Sequence, residues 1–185
     1  VNGVDPTTGD VWGGDLAGTT SWKEDPAGGQ TWMTLAEMLQ ISQAQLDKIL
    51  ESANVTEANM HSSSGKLQVA PQGVIYIDND DPGDNELDIA AGTPSYDDGW
   101  GLMYVKGDLK ISSGNFQFKG LIYVEGDVHV SGSPLIVGCL AVKGATDGAF
   151  PSGSPHIIYS QDALVQNTNR SMKFKTLSWK DEGIN

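Results

Sequence analysis

Residues 101–114 read GLMYVKGDLKISSG and residues 120–132 read GLIYVEGDVHVSG, so one phrase is stated twice at an interval of 19 residues. The apolar strand inside it recurs more widely: VIYID from Val74, LMYVK from Leu102, LIYVE from Leu121, CLAVK from Cys139 and IIYSQ from Ile157. The last four starts lie 19, 18 and 18 residues apart, and the first gap of 28 is one period plus an insertion of nine or ten. A period of this length means a solenoid, in which each unit covers its neighbour's hydrophobic face.

The units carry their own turn chemistry. Gly101, Gly120 and Gly138 precede the strand, and Gly107, Gly126 and Gly144 follow it, where corners need positive φ or close backbone approach. A second short strand repeats as Leu109 and Ile111, then Val128 and Val130; a third stretch has Phe116 and Phe118, then Pro134 and Ile136. Two or three short strands in 18 residues describe one coil of a β-helix. The expected fold is therefore mainly β: a right-handed β-solenoid of about five coils of 18–19 residues.

Stacking explains the exchange of Lys106 for Glu125. Asp78, Lys106, Glu125 and Lys143 fall in one column, and adjacent strands lie about 4.8 Å apart, where like charges repel. Alternating sign lets similar units stack without a charge ladder.

The first strand of each coil is apolar on both faces. Ile75, Met103, Ile122, Leu140 and Ile158 form one set; Tyr76, Tyr104, Tyr123, Ala141 and Tyr159 form the alternate set. A strand buried on one side only would alternate apolar with polar residues, so the tyrosine face needs a cover. TLAEMLQISQAQLDKILESA, from Thr34, supplies one. Thr34 with Glu37 and Ser42 with Gln45 have capping-box spacing, with apolar sides at Leu35, Met38, Leu39 and at Leu46, Ile49, Leu50. The expectation is a short helical N-terminal segment packed on that face. The alternative leaves Tyr76, Tyr104, Tyr123 and Tyr159 exposed as an interaction surface.

The expected organisation is an irregular lead plus two short helices over 1–66, then the solenoid over 67–185. It carries an acidic insertion at 79–99 and a C-terminal capping segment at 165–185. Trp12, Trp22 and Trp32, ten residues apart in the lead, serve to pin a loop to the solenoid or as an aromatic binding strip.

No Lys or Arg occurs between Lys66 and Lys106. Asp78, Asp80, Asp81, Asp84, Glu86 and Asp88 supply hard oxygens at a density that suits Ca²⁺, which takes six to eight ligands in irregular loops. The competing reading is a solvated acidic loop that prevents lateral pairing.

Catalytic signals are weak. His61, His129 and His156 lack metal-ligand spacing, and His129 shares a column with Lys110, facing solvent. Asp108 and Asp127, one period apart, stand at a separation compatible with retaining glycoside chemistry, but their place after the corner glycines favours bonding to backbone N–H groups. No catalytic residue is assigned. The net charge of −13 argues against nucleic acid, which needs a basic surface. The single cysteine, Cys139, sits in the apolar run LIVGCLAV and reads as a buried structural thiol. That run is far short of a membrane span. The first residue is Val1, so an N-terminal segment that could attach the protein to a membrane is expected to have been removed.

GLIYVEGDVHVSG followed by SPLIVGCLAVKG resembles the repeat region of PilX-type pilus assembly proteins of bacteria, and the end LSWKDEGIN, with Ser178 and Trp179, is similar to their terminal segment. The resemblance spans about Gly73 to Glu182; a likeness to polymer-forming bactofilins is weaker. It implies a non-enzymatic protein, extracellular, cell-surface or periplasmic, working with other pilus or surface proteins or with copies of itself. Two other classes stay open: a calcium-dependent carbohydrate-binding or carbohydrate-cleaving β-helix, and a self-polymerising filament joined by the acidic loop and the basic stretch around Arg170, Lys173, Lys175 and Lys180.

Overall fold

A computed structural model describes residues 3–4, 11–12, 33–60, 64–78, 86–90, 98–144 and 155–171. In the lead, β1 (Gly3–Val4) pairs antiparallel with β2 (Val11–Trp12). Two helices follow, α1 (Leu35–Met38) and α2 (Gln43–Glu51). Both start at the expected capping boxes. The Thr34 N–H donates to Glu37 Oε2 at 2.7 Å and the Ser42 N–H to Gln45 Oε1 at 2.9 Å, while each cap hydroxyl accepts the N–H three residues on.

The body is a parallel β-solenoid of two sheets. The first contains β3 (Gln72–Ile77), β5 (Gly99–Val105), β7 (Gln117–Val124), β9 (Leu135–Val142) and β10 (His156–Tyr159), stacked in that order. The second contains β4 (Glu86–Ile89), β6 (Asp108–Ile111) and β8 (Val128–Val130). Between β3, β5, β7 and β9 the register is the one the repeat predicts: Tyr76 pairs with Tyr104, Tyr104 with Tyr123 and Tyr123 with Ala141. The space between the sheets is apolar. Ile75, Met103 and Ile122 of the first sheet and Leu87, Leu109 and Val128 of the second are buried in one cluster there, together with Phe116 and Phe118.

Three expectations are corrected. The second sheet has three strands, so the solenoid makes about three turns rather than about five. The acidic insertion is not wholly a loop: Glu86–Ile89 is β4, and Leu87 and Ile89 sit in register with Leu109 and Ile111. The strand at Ile157 does not stack on Cys139. Ile157 pairs with Ile136 and Tyr159 with Gly138, three residues away from the 18-residue register.

The glycine column is where the coils come closest. Gly101, Gly120 and Gly138 have φ of +123°, +141° and +139°. A Cβ on Gly120 would lie 3.0 Å from the Gly101 carbonyl carbon and closer still to its oxygen; one on Gly138 would lie 2.9 Å from the Gly120 carbonyl carbon. Such contacts need both the conformational range and the bare Cα that only glycine has.

The two ends of the stack differ. At the first end, Val55 forms a parallel bridge with Ile75 and Lys66 one with Asp88. The N–H groups of Asn54 and Val55 donate to the Val74 carbonyl, and that of Leu67 to Asp88. Val55 and Leu67 are buried in the core beside Ile75, so Asn54, Val55, Lys66 and Leu67 seal the first edge. At the other end, β10 leaves Ile158 46% and Tyr159 68% exposed.

The outer face of the first sheet is covered, as expected for an apolar tyrosine face. Leu35, Ala36, Leu46 and Leu50 of α1 and α2 are buried against Val74, Leu102, Tyr104, Leu121 and Tyr123. A third helix, α3 (Gln161–Ser171), crosses β9, β7, β5 and β3, and its Leu164 packs into the same cluster. The described part of the expected C-terminal capping segment therefore lies across this sheet. Residues 172–185, with Lys173, Lys175 and Lys180, lie outside the described residues.

Candidate functional site

Two rows of charged side chains follow from the coil repeat. The first stands at the corner after the tyrosine strand. Lys106 Nζ lies 2.6 Å from Asp78 Oδ1, and Lys143 Nζ lies 3.3 Å from Glu125 Oε2. Tyrosines bind the same carboxylates: the Tyr76 hydroxyl donates to Asp78 at 2.7 Å, and the Tyr104 hydroxyl donates to Glu125. The alternating column thus closes as ion pairs roofed by the aromatic ladder, with Lys106 also 5.6 Å from the Tyr76 ring centre. Burial pushes the Asp78 carboxyl up, but bonds from Lys106 and Tyr76 outweigh it and hold it below the usual range. Burial, reinforced by Glu125, pushes the Tyr104 phenol well above its ordinary value.

The second row lies on the outer face of β4, β6 and β8. Glu86 stands beside Asp108, and Asp88, Lys110 and His129 form the neighbouring column. Glu86, Asp108, Lys110, Asp127 and His129 line a shallow depression of about 340 Å³. Lys110 Nζ is 3.2 Å from Glu86 Oε1, and the bond to Glu86 raises the Lys110 pKa. Asp88 is buried and accepts from the Ser112 hydroxyl at 2.9 Å. Asp108 Oδ1 accepts the Asp127 N–H at 2.7 Å. This is the turn role expected of Asp108, and it commits one of its oxygens to the backbone. His129 is exposed, in the column expected for it. Such a surface offers polar and charged contacts to a ligand lying across the coils.

Of the candidate calcium ligands, the three that lie among the described residues, Asp78, Glu86 and Asp88, do not converge. Asp78 is at the first corner with Lys106, Glu86 is across the coil with Lys110, and Asp88 is held by Ser112. Asp80, Asp81 and Asp84 lie outside the described residues. Among the described residues, no three His, Cys, Asp or Glu side chains are grouped to hold a metal ion. The candidate tyrosine surface divides. Tyr104 and Tyr123 are buried, Tyr76 is half-buried, and Tyr159 is exposed but stands in the glycine column. The Tyr123 hydroxyl donates to the Met33 carbonyl at 3.1 Å, tying the face to its cover. Cys139 is half-buried on this face, and burial raises its thiol pKa, which suits a packing role. His61, Trp22, Trp32, Ser178 and Trp179 lie outside the described residues.

Sealed at one end, stacked in register and covered along one side by its own helices, the protein is a β-solenoid. Residues 55–149, just over half of the chain, match a family described as a domain of unknown function (DUF8470), and the chain belongs to that family. The match begins at Val55, the residue that seals the first edge. No curated protein and no solved structure matches the chain.

Proposed function

We propose that this chain is a non-enzymatic structural ectodomain of a bacterial surface or type IV pilus assembly, contributing a rigid surface to assembly or adhesion. The observation that carries the reading is how the charged columns are engaged. Asp78, Glu86 and Glu125 each pair with a lysine of a neighbouring coil, and Asp108 holds a backbone N–H. Carboxylates spent on holding coils in register leave little for acid–base work, which needs a group poised beside a reacting atom. The resemblance of the repeats to PilX-type proteins supplies the rest.

The test is antibody labelling of intact source cells and of filaments sheared from them. Label on intact cells and along filaments supports the proposal. Label that appears only after permeabilisation overturns it.

A second reading, carbohydrate binding, is favoured by the depression over β4, β6 and β8 with its mixed Glu86, Lys110 and His129 lining. Glycan-array binding that Lys110→Ala abolishes would select it, and the same array in chelator would show whether Ca²⁺ takes part. Filament formation by head-to-tail stacking is less well supported, because the first coil's edge is already paired with Val55 and Lys66. Sedimentation velocity in millimolar Ca²⁺ and in chelator tests it: large species would favour the filament.

A further inference from the structure

The last coil is finished differently from the first. Leu140, Val142 and Ile157 continue the core rows but are only partly buried, whereas Ile75, Ile77, Met103 and Val105 of the earlier coils are fully buried. Of the four large apolar side chains exposed among the described residues, Ile158, Tyr159 and Val165 belong to β10 or to the start of α3. Exposed apolar surface is therefore concentrated at one end of the stack, where no described residue does what Val55 and Leu67 do at the other.

The backbone of β10 is open on that side. The strand pairs with β9 and, among the described residues, with no other strand. The His156 N–H donates to the Pro134 carbonyl at 2.8 Å and the Ser160 N–H to the Gly138 carbonyl at 3.3 Å. Peptide groups alternate sides along a strand, so positions 156, 158 and 160 face β9 while Ile157 and Tyr159 turn their N–H and C=O groups away from it. The open stretch is bounded on both sides. Pro155 has no N–H to offer, and Gln161 already belongs to α3. Edges are ordinarily guarded by charge, yet HIIY holds neither carboxylate nor lysine in a chain of net charge −13.

These features fit a second copy of the same edge. Two copies related by a two-fold axis pair antiparallel, and with the axis at Ile158 the outward groups match in full. Ile157 of each copy then exchanges N–H···O bonds with Tyr159 of the other. Ile158 meets its own counterpart at a non-hydrogen-bonded position, where side chains stand closest. Tyr159 lies across from Ile157, an aromatic against a β-branched residue. The first end cannot compete, because Asn54, Val55, Lys66 and Leu67 already occupy its edge.

We propose that the chain associates as a closed two-fold dimer through its last coil, β10 antiparallel to β10, so that the first sheets of the two copies become one continuous sheet. The sealed first ends then point away from each other, and association stops at two copies instead of growing into a filament. The inference concerns the purified chain and stands apart from the surface-assembly reading, which cell labelling tests.

Sedimentation velocity from about 1 µM to about 500 µM, the range in which a small interface becomes populated, should show monomer passing into dimer and no larger species. Tyr159→Pro deletes an N–H that takes no part in the pairing with β9 but is needed across the axis. Ile158→Lys sets two cations against each other at the axis. Each should raise the dimer dissociation constant about 100-fold or more, while far-ultraviolet circular dichroism remains that of the wild type. Monomer at every concentration, species that keep growing past two copies, or a dimer that either variant leaves intact overturns the proposal.

Discussion

Gly120→Ala measures the glycine column directly. The wild-type φ of +141° lies where a side chain costs about 1–3 kcal/mol. The new methyl would also stand 3.0 Å from the Gly101 carbonyl carbon, and a backbone carbonyl cannot swing aside. Relief requires β5 and β7 to separate locally, weakening about two ladder hydrogen bonds at about 1 kcal/mol each. The expected loss is about 4 kcal/mol, a large part of the about 5–15 kcal/mol typical of a domain. Gly114→Ala is the control, because no atom lies within 4 Å of a Cβ there. It should change stability by about 0.5 kcal/mol or less. Urea unfolding followed by far-ultraviolet circular dichroism compares the two. If Gly120→Ala falls within about 1 kcal/mol of the control, the close-approach argument is wrong.

Lys106→Glu places three acidic residues in succession at positions 78, 106 and 125. It should cost about 1 kcal/mol at low salt and less when about 1 M salt shortens the screening length; a salt-independent loss in Tm would contradict the charge-column explanation. The fold raises the Tyr104 phenol pKa, chiefly by burial, so its contribution is complete below the ordinary phenol value of about 10 and is lost as pH rises beyond it. Tyr104→Phe should flatten that alkaline decline, and tyrosinate absorbance should develop at Tyr104 only with unfolding. Ser42→Ala removes the acceptor for the Gln45 N–H and should lower stability by about 1 kcal/mol, read from the urea midpoint.

The solenoid was legible because stacking makes residues answer for one another at a distance. Glycine over glycine, tyrosine over tyrosine and acid over base each wrote the same period, and the capping boxes marked both N-terminal helices. β4 was harder to read only because acids surround it. ELDI matches DLKI in apolar alternation, and that agreement outweighs the density of carboxylates around it. The misplaced register of β10 came from treating IIY as LIY. The letters agree, but β10 runs straight into Ser160, whose hydroxyl accepts the Ala163 N–H and starts α3, and it pairs with the beginning of β9. α3 itself has no apolar stripe to detect; Ser160 as a cap with Asp162 in the first turn was the available signal. The pairing of Glu86 with Lys110 crosses 24 residues and became visible only once β4 was recognised.

The sealed first edge also gives the fold a direction in time. Asn54, Val55, Lys66 and Leu67 precede every coil in the chain, so during synthesis the seal and β3 emerge before the rest. Each later coil then meets a finished edge and adds to it, rather than searching for a partner that has not yet appeared. Tolerance to shortening should therefore be unequal. A chain cut after Gly144 should keep a protease-resistant remainder, whereas one beginning at Pro71 should not, although it retains every strand of the solenoid. Equal resistance of the two forms to limited proteolysis would show that the coils need no starting edge.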